Sequence, residues 1–129
     1  MRIFLVGLGE GFARSLARYV SGDPRVALIG MAPTPALAGM LLPVIAADVV
    51  LVDWAALNGA ARDTVSRLRA GHRALRIVCV MDEVGPYRAV VAHAGADAAI
   101  SRSEFAGELE SLLHDYFPRR FGATGDRNA

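Results

Sequence analysis

Short apolar runs alternate along this chain with longer segments whose apolar residues recur at helical spacing. Ile3–Val6, Val26–Gly30, Asp48–Asp53, Arg76–Met81 and Ala98–Ser101 read as strands. The third and fourth are apolar without alternation, as expected when both faces of a strand are buried in a parallel sheet. Between the strands, Phe12–Val20, a segment opening at Pro35, Ala60–Ala70, Pro86–Ala94 and Glu104–Phe117 read as helices. Thr34 suits the N-cap of the second helix, with Pro35 at its first position. Leu37, Leu41, Val44 and Ile45 are expected on its core side. Ser103 is expected to cap the last helix and Pro118 to end it. The glycines of Gly7-Leu8-Gly9-Glu10-Gly11 mark a turn. Five β/α units in succession predict an α/β fold: a five-stranded parallel sheet, doubly wound, with helices on both faces. Crossovers should be right-handed.

The 129 residues suffice for one domain with a real core, expected over 1–118, followed by a frayed tail over 119–129. At 53% apolar and 21% charged the chain is globular. The net charge of +1 carries no like-charge block, which argues against a nucleic-acid partner. Cys79 stands alone inside an apolar run, so no disulfide framework or cysteine metal site forms within one chain. The apolar part of Met1–Val6 is too short for a signal peptide. No segment reads as a membrane span, and the cytoplasm is the expected compartment. No triad, metal cluster or acid pair supports a hydrolase, and no enzymatic activity is expected.

Ligands of an open parallel sheet bind beyond the carboxyl ends of the strands. The segments to watch are Gly7–Gly11, Ala32–Thr34, Asp53–Gly59, Met81–Gly85 and Ser101–Ser103. Two of them adjoin telling runs. Ala47-Asp48-Val49-Val50-Leu51-Val52-Asp53 resembles the "PDVVLLD" strand of response-regulator receiver domains, whose final aspartate accepts phosphate. Ala94-Gly95-Ala96-Asp97-Ala98-Ala99-Ile100-Ser101-Arg102 resembles their "AGADGYLLK" segment. With the matching order of elements, the resemblance covers about nine tenths of the chain and implies the flavodoxin-like, CheY-like variety of the (βα)5 fold.

The resemblance implies five chemical positions. Asp53 takes the place of the phosphoacceptor. Gly7 and Leu8 stand where two acids help to hold magnesium, Met81 where a hydroxyl binds phosphate, and Arg102 where a lysine does. Ala99 stands where an aromatic is often found. A carboxylate attacking a phosphoryl group is anion meeting anion, and a hard cation offsets that repulsion. Asp53 alone is too little to hold that cation well. The resemblance therefore implies an atypical receiver, acting in two-component or phosphorelay-type signalling by protein–protein contact and without efficient phosphorylation. It carries no output domain, so output is expected from another chain.

Other readings stay open. Asp53 is either a live acceptor or an ion-pair partner of Arg102. Glu10, Asp82 and Glu83 are either solvated loop acids or, with Asp53, the means of rebuilding a metal site, magnesium being expected only if Glu10 or Asp82 rebuilds the pocket; otherwise no cofactor or metal is expected. The glycine run suggests a nucleotide- or anion-binding loop, but Phe12 stands where the dinucleotide fingerprint wants glycine, and no ribose-binding acid ends the second strand. Trp54 either shields the Asp53 pocket or packs. His72, His93 and His114 share no ligand spacing. The resemblance also points to the fourth helix, fifth strand and fifth helix as a surface for a partner protein or homodimer, with Tyr87, Val91, Leu112 and Tyr116 as its contacts. The apolar stripe of the last helix is wide enough to leave an edge exposed.

Overall fold

The computed structural model describes residues 1–119. Five strands, β1 (Arg2–Val6), β2 (Ala27–Ala32), β3 (Val49–Asp53), β4 (Arg76–Met81) and β5 (Ala98–Ser101), form one parallel sheet in the order β2-β1-β3-β4-β5. Five helices alternate with them: α1 (Gly9–Val20), α2 (Pro35–Leu41), α3 (Ala61–Arg69), α4 (Arg88–His93) and α5 (Phe105–Tyr116). No described helix is long and apolar enough to cross a membrane.

The alternation of side chains along the strands divides the core in two. Ile3, Leu5, Val49, Leu51, Val78, Val80 and Ile100 face α1 and α5, where they meet Leu16, Leu109 and Leu113. Phe4, Val6, Val50, Val52, Ile77 and Cys79 face the other layer, where Ala38, Val65, Leu68 and Val91 cover them. This is why β3 and β4 lack polar alternation: both of their faces are covered.

The sequence expectations shift at several helix ends. The glycine run is not a five-residue turn, because α1 already begins at Gly9 and the connection is only Gly7 and Leu8. The segment before α4 winds first as a 3-10 turn over Gly85–Tyr87. Thr34 caps α2 as expected, its Oγ1 accepting from the Leu37 N–H at 3.2 Å. The core side of α2 differs, however. Ala38 and Leu42 are buried, Leu41 and Ile45 are half-buried, and Leu37 and Val44 are exposed. A small alanine lets the helix sit close on the sheet, and with apolar residues all round, no polar face marks the outside.

Ser103 does not cap α5. Ser101 Oγ accepts from the Glu104 N–H at 3.2 Å, while the Glu108 carboxylate accepts from the Ser101 N–H at 2.7 Å. The chain turns tightly after β5, so the hydroxyl three residues before Glu104, at the strand end, is the one in reach. The expected tail lies, apart from Arg119, outside the described residues.

Candidate functional site

The strand order reverses between β1 and β3, and the ends of those strands bring Gly7 and Asp53 side by side. A Cβ added at Gly7 would lie 3.7 Å from the Asp53 Cβ. Asp53, Met81 and Arg102 close the site from β3, β4 and the turn after β5. With Trp54, Ala55, Asp82, Glu83 and Tyr87 they line a cavity of about 310 Å³.

Both oxygens of Asp53 are engaged. Oδ1 accepts from the Ala55 N–H at 3.0 Å, capping the 3-10 turn Trp54–Leu57. Oδ2 accepts from Arg102 at 3.4 Å. The same guanidinium donates through Nε to Asp82 Oδ1 at 3.1 Å. Arg102 is held at its base, since its N–H donates to the Met81 carbonyl at 2.9 Å. It thus bridges two carboxylates across the mouth of the pocket. The contact between Asp53 and Arg102, open as one reading of the sequence, is present. The Asp82 arm was not foreseen; the only signal for it was an acid directly after β4, on the neighbouring loop.

The positions of the two lost acids behave differently. Gly7 has a φ of +69°, and its N–H donates to the Ala32 carbonyl. A Cβ there would come within 2.9 Å of the Ala56 Cβ, so the site has closed over the position where a carboxylate would stand. Leu8 is buried in the α1–α5 layer beside Phe12. Met81 is buried in the opposite layer and brings no hydrogen-bond donor. Glu10 is exposed on the first turn of α1 and does not line the cavity. Among the described residues no three His, Cys, Asp or Glu side chains are placed to hold a metal ion. Gly7 and Leu8 offer no side-chain oxygen, and a guanidinium already stands on Asp53 and Asp82. The residues present do not fit a magnesium ion.

Trp54 is half-buried against the core next to the pocket. Of the four residues expected on the α4–β5–α5 surface, Tyr87 is exposed. Val91 is not available: it is 2% exposed and packs under the helix, because α4 turns Val90 outward in its place. Leu112 and Tyr116 are half-buried, the latter under the Arg76 guanidinium at 4.6 Å. The expected exposed edge of the α5 stripe is reduced to half-buried side chains: Leu109 and Leu113 are buried, while Phe105, Leu112, Tyr116 and Phe117 pack against the same core and stay half-buried. Ala98 and Ala99 are too small to fill this face and leave a hollow of about 240 Å³ bordered by Arg88, Val91, Ala96 and Leu112.

Neither a family model nor a curated protein matches the sequence. Solved structures do match. A pilus assembly-related protein from Burkholderia pseudomallei superposes with a TM-score of 0.75 at 19% identity, over 90% of this chain and 88% of its own. CheY6 from R. sphaeroides, solved in complex with the P1 domain of CheA3, gives a TM-score of 0.74 at 15% identity, over 91% and 96%. The Salmonella typhimurium response regulator RcsB gives 0.73 at 12% identity over 88% of this chain, which spans 57% of the RcsB chain. With its strand order, its two helical layers and the placement of Asp53, this chain has the fold of CheY-like response-regulator receiver domains.

Proposed function

We propose that the domain is an atypical receiver that works as a binding module, without enzymatic activity and without metal-dependent phosphorylation. The observation that carries this reading is the Arg102 bridge between Asp53 and Asp82, set against side chains at positions 7 and 8 that offer no oxygen. An incoming phosphoryl donor meets a carboxylate whose oxygens are both in use. No hydroxyl at Met81 waits to draw the loop inward after transfer. The state of the pocket is then constant, and information passes through what the domain binds.

The α4–β5–α5 face is the surface offered to a partner protein, with Tyr87 and Val90 exposed on α4 and the turn before it and a hollow over Ala98 and Ala99. A binding role of this kind suits a setting such as pilus assembly, to which the name of the Burkholderia protein refers.

Incubation with a small phosphodonor and magnesium, followed by intact-mass measurement, tests the proposal. The expected outcome is no phosphoryl adduct. An adduct that disappears in Asp53→Asn would instead make the domain a working phosphoacceptor.

A further inference from the structure

From Val26 to Ala47 the chain runs 22 residues without an Asp, Glu, Lys, Arg or His. This stretch contains the edge strand β2 and all of α2. It also holds four exposed large apolar residues: Met31, Leu37, Met40 at 74% and Val44 at 82%. The ordinary pattern is inverted here: α2 buries Ala38 and turns Met40 to solvent, and Val44, just past its end, is exposed as well.

Helical spacing places Leu37, Met40 and Val44 at i, i+3 and i+7, on one flank. The Ile45 N–H donates to the Leu41 carbonyl, so the helical path runs on far enough to carry Val44 into line. The opposite flank is taken. Pro35 shares a groove with Thr64 and Arg67 of α3, and Ala36, one turn before Met40, stands at the margin of that groove. Pro43 lies 3.7 Å from where a Cβ on Gly71 would stand, just past the end of α3. The apolar stripe therefore looks away from α3, toward the side of the molecule where β2 ends the sheet.

We infer that this side is a self-association surface, on which a second copy of the chain packs α2 against α2 about a two-fold axis. Three observations select that occupant. About a two-fold axis a patch meets itself, so any charge in it would approach its own like; here 22 positions carry none. A charged partner would find no counter-charge in the same stretch. A lipid surface is disfavoured because α2 lacks the cationic residues that such helices present to headgroups. The register of β1 with β2 skips Ile29, and a bulge of this kind blunts an edge against strand pairing. The contact therefore rests on the helix stripe rather than on extension of the sheet.

Size sets the strength. A six-residue strand edge is about 20 Å long. Sheet and one helix layer together are about 20 Å deep. The flat face is thus at most about 400 Å² per copy, no more than roughly half of the ~800 Å² per partner of a standard stable interface. The association is weak and concentration-dependent.

Sedimentation velocity from about 10 µM to about 500 µM, a range that brackets weak association, tests the inference. The expected result is a shift from monomer to dimer mass that Met40→Glu with Val44→Glu abolishes while the melting temperature stays in place. Val90→Glu, on the opposite edge, should leave the shift intact. A monomer throughout overturns the inference. So does a dimer that survives the double variant or is lost in Val90→Glu. Co-sedimentation of the monomer with phosphatidylcholine vesicles, lost in the double variant, would assign the stripe to lipid and overturn it as well.

Discussion

Gly7 holds a φ of +69° with the Ala56 Cβ 2.9 Å from where its own Cβ would be. Both facts bear on a tempting experiment, the return of an acid to this position. Gly7→Asp must adopt a left-handed backbone that side chains disfavour and must push Ala56 aside. The expected cost is about 1–3 kcal/mol of stability, read as a lower denaturant midpoint. An unchanged midpoint would mean that the Asp53–Leu57 turn yields easily. The sequence told which residues occupy the pocket but not how the backbone had adjusted to them. Nothing in a run of glycines distinguishes a turn glycine from the opening of α1, and nothing in Ala56 announces that it fills the space beside Gly7. The Arg102 contact with Asp53 was legible because the resemblance puts Arg102 at the lysine position beside the acceptor and the two carry opposite charges, although they stand at the ends of β3 and β5, on either side of β4. Its second arm, to an exposed Asp82, had no comparable signal.

At the scale of elements, the strands were the most legible parts. Arg76–Met81 and Ala98–Ser101 fall where their apolar runs place them, since a doubly covered strand leaves no room for polar residues. The facing of α2 was illegible for the opposite reason: apolar on every side, its pattern names no inner face. Asp97 is a further case. It belongs to the segment that resembles the receiver motif, yet it directly precedes β5 and lies beside the start of β4, at the far end of the sheet from Asp53. Its carboxylate accepts from the Ile77 N–H at 2.8 Å and pairs with Arg69 at 2.6 Å. Its own N–H donates to the Ile77 carbonyl. One side chain thus joins α3, β4 and the approach to β5. Asp97→Ala leaves the Ile77 N–H and Arg69 short of an acceptor, and a loss of about 1–3 kcal/mol is expected. Urea unfolding would show it as a lower midpoint at unchanged slope. A midpoint equal to that of the parent chain would show that the backbone finds another partner.

For the molecule as a whole, Cys79 is a built-in reporter of cooperativity. It sits fully buried at the centre of β4, and burial pushes its thiol up to about 12 from an ordinary 9.0. The thiolate is the reactive form. Labelling with a chromogenic disulfide at pH 8 should therefore proceed only through unfolding of the sheet and accelerate with urea in step with the global transition. Fast labelling of the native chain would reveal a local opening between β3 and β5. The pH dependence has a definite sign. A thiol that is raised in the fold contributes its stability below about 9. That contribution drains away as the pH climbs toward about 12, so the chain loses ground on the alkaline side.

The Arg102 bridge also has a meaning in terms of competition. A charge tied by its own backbone to the rim of a site acts at a local concentration of order millimolar or more, whatever the solution contains. Asp53 and Asp82 are thus served by a counter-ion that cannot be dialysed, chelated or diluted away. Changes in the divalent ions around the protein should leave the pocket as it is, and the domain carries its own fixed ionic environment from one setting to the next.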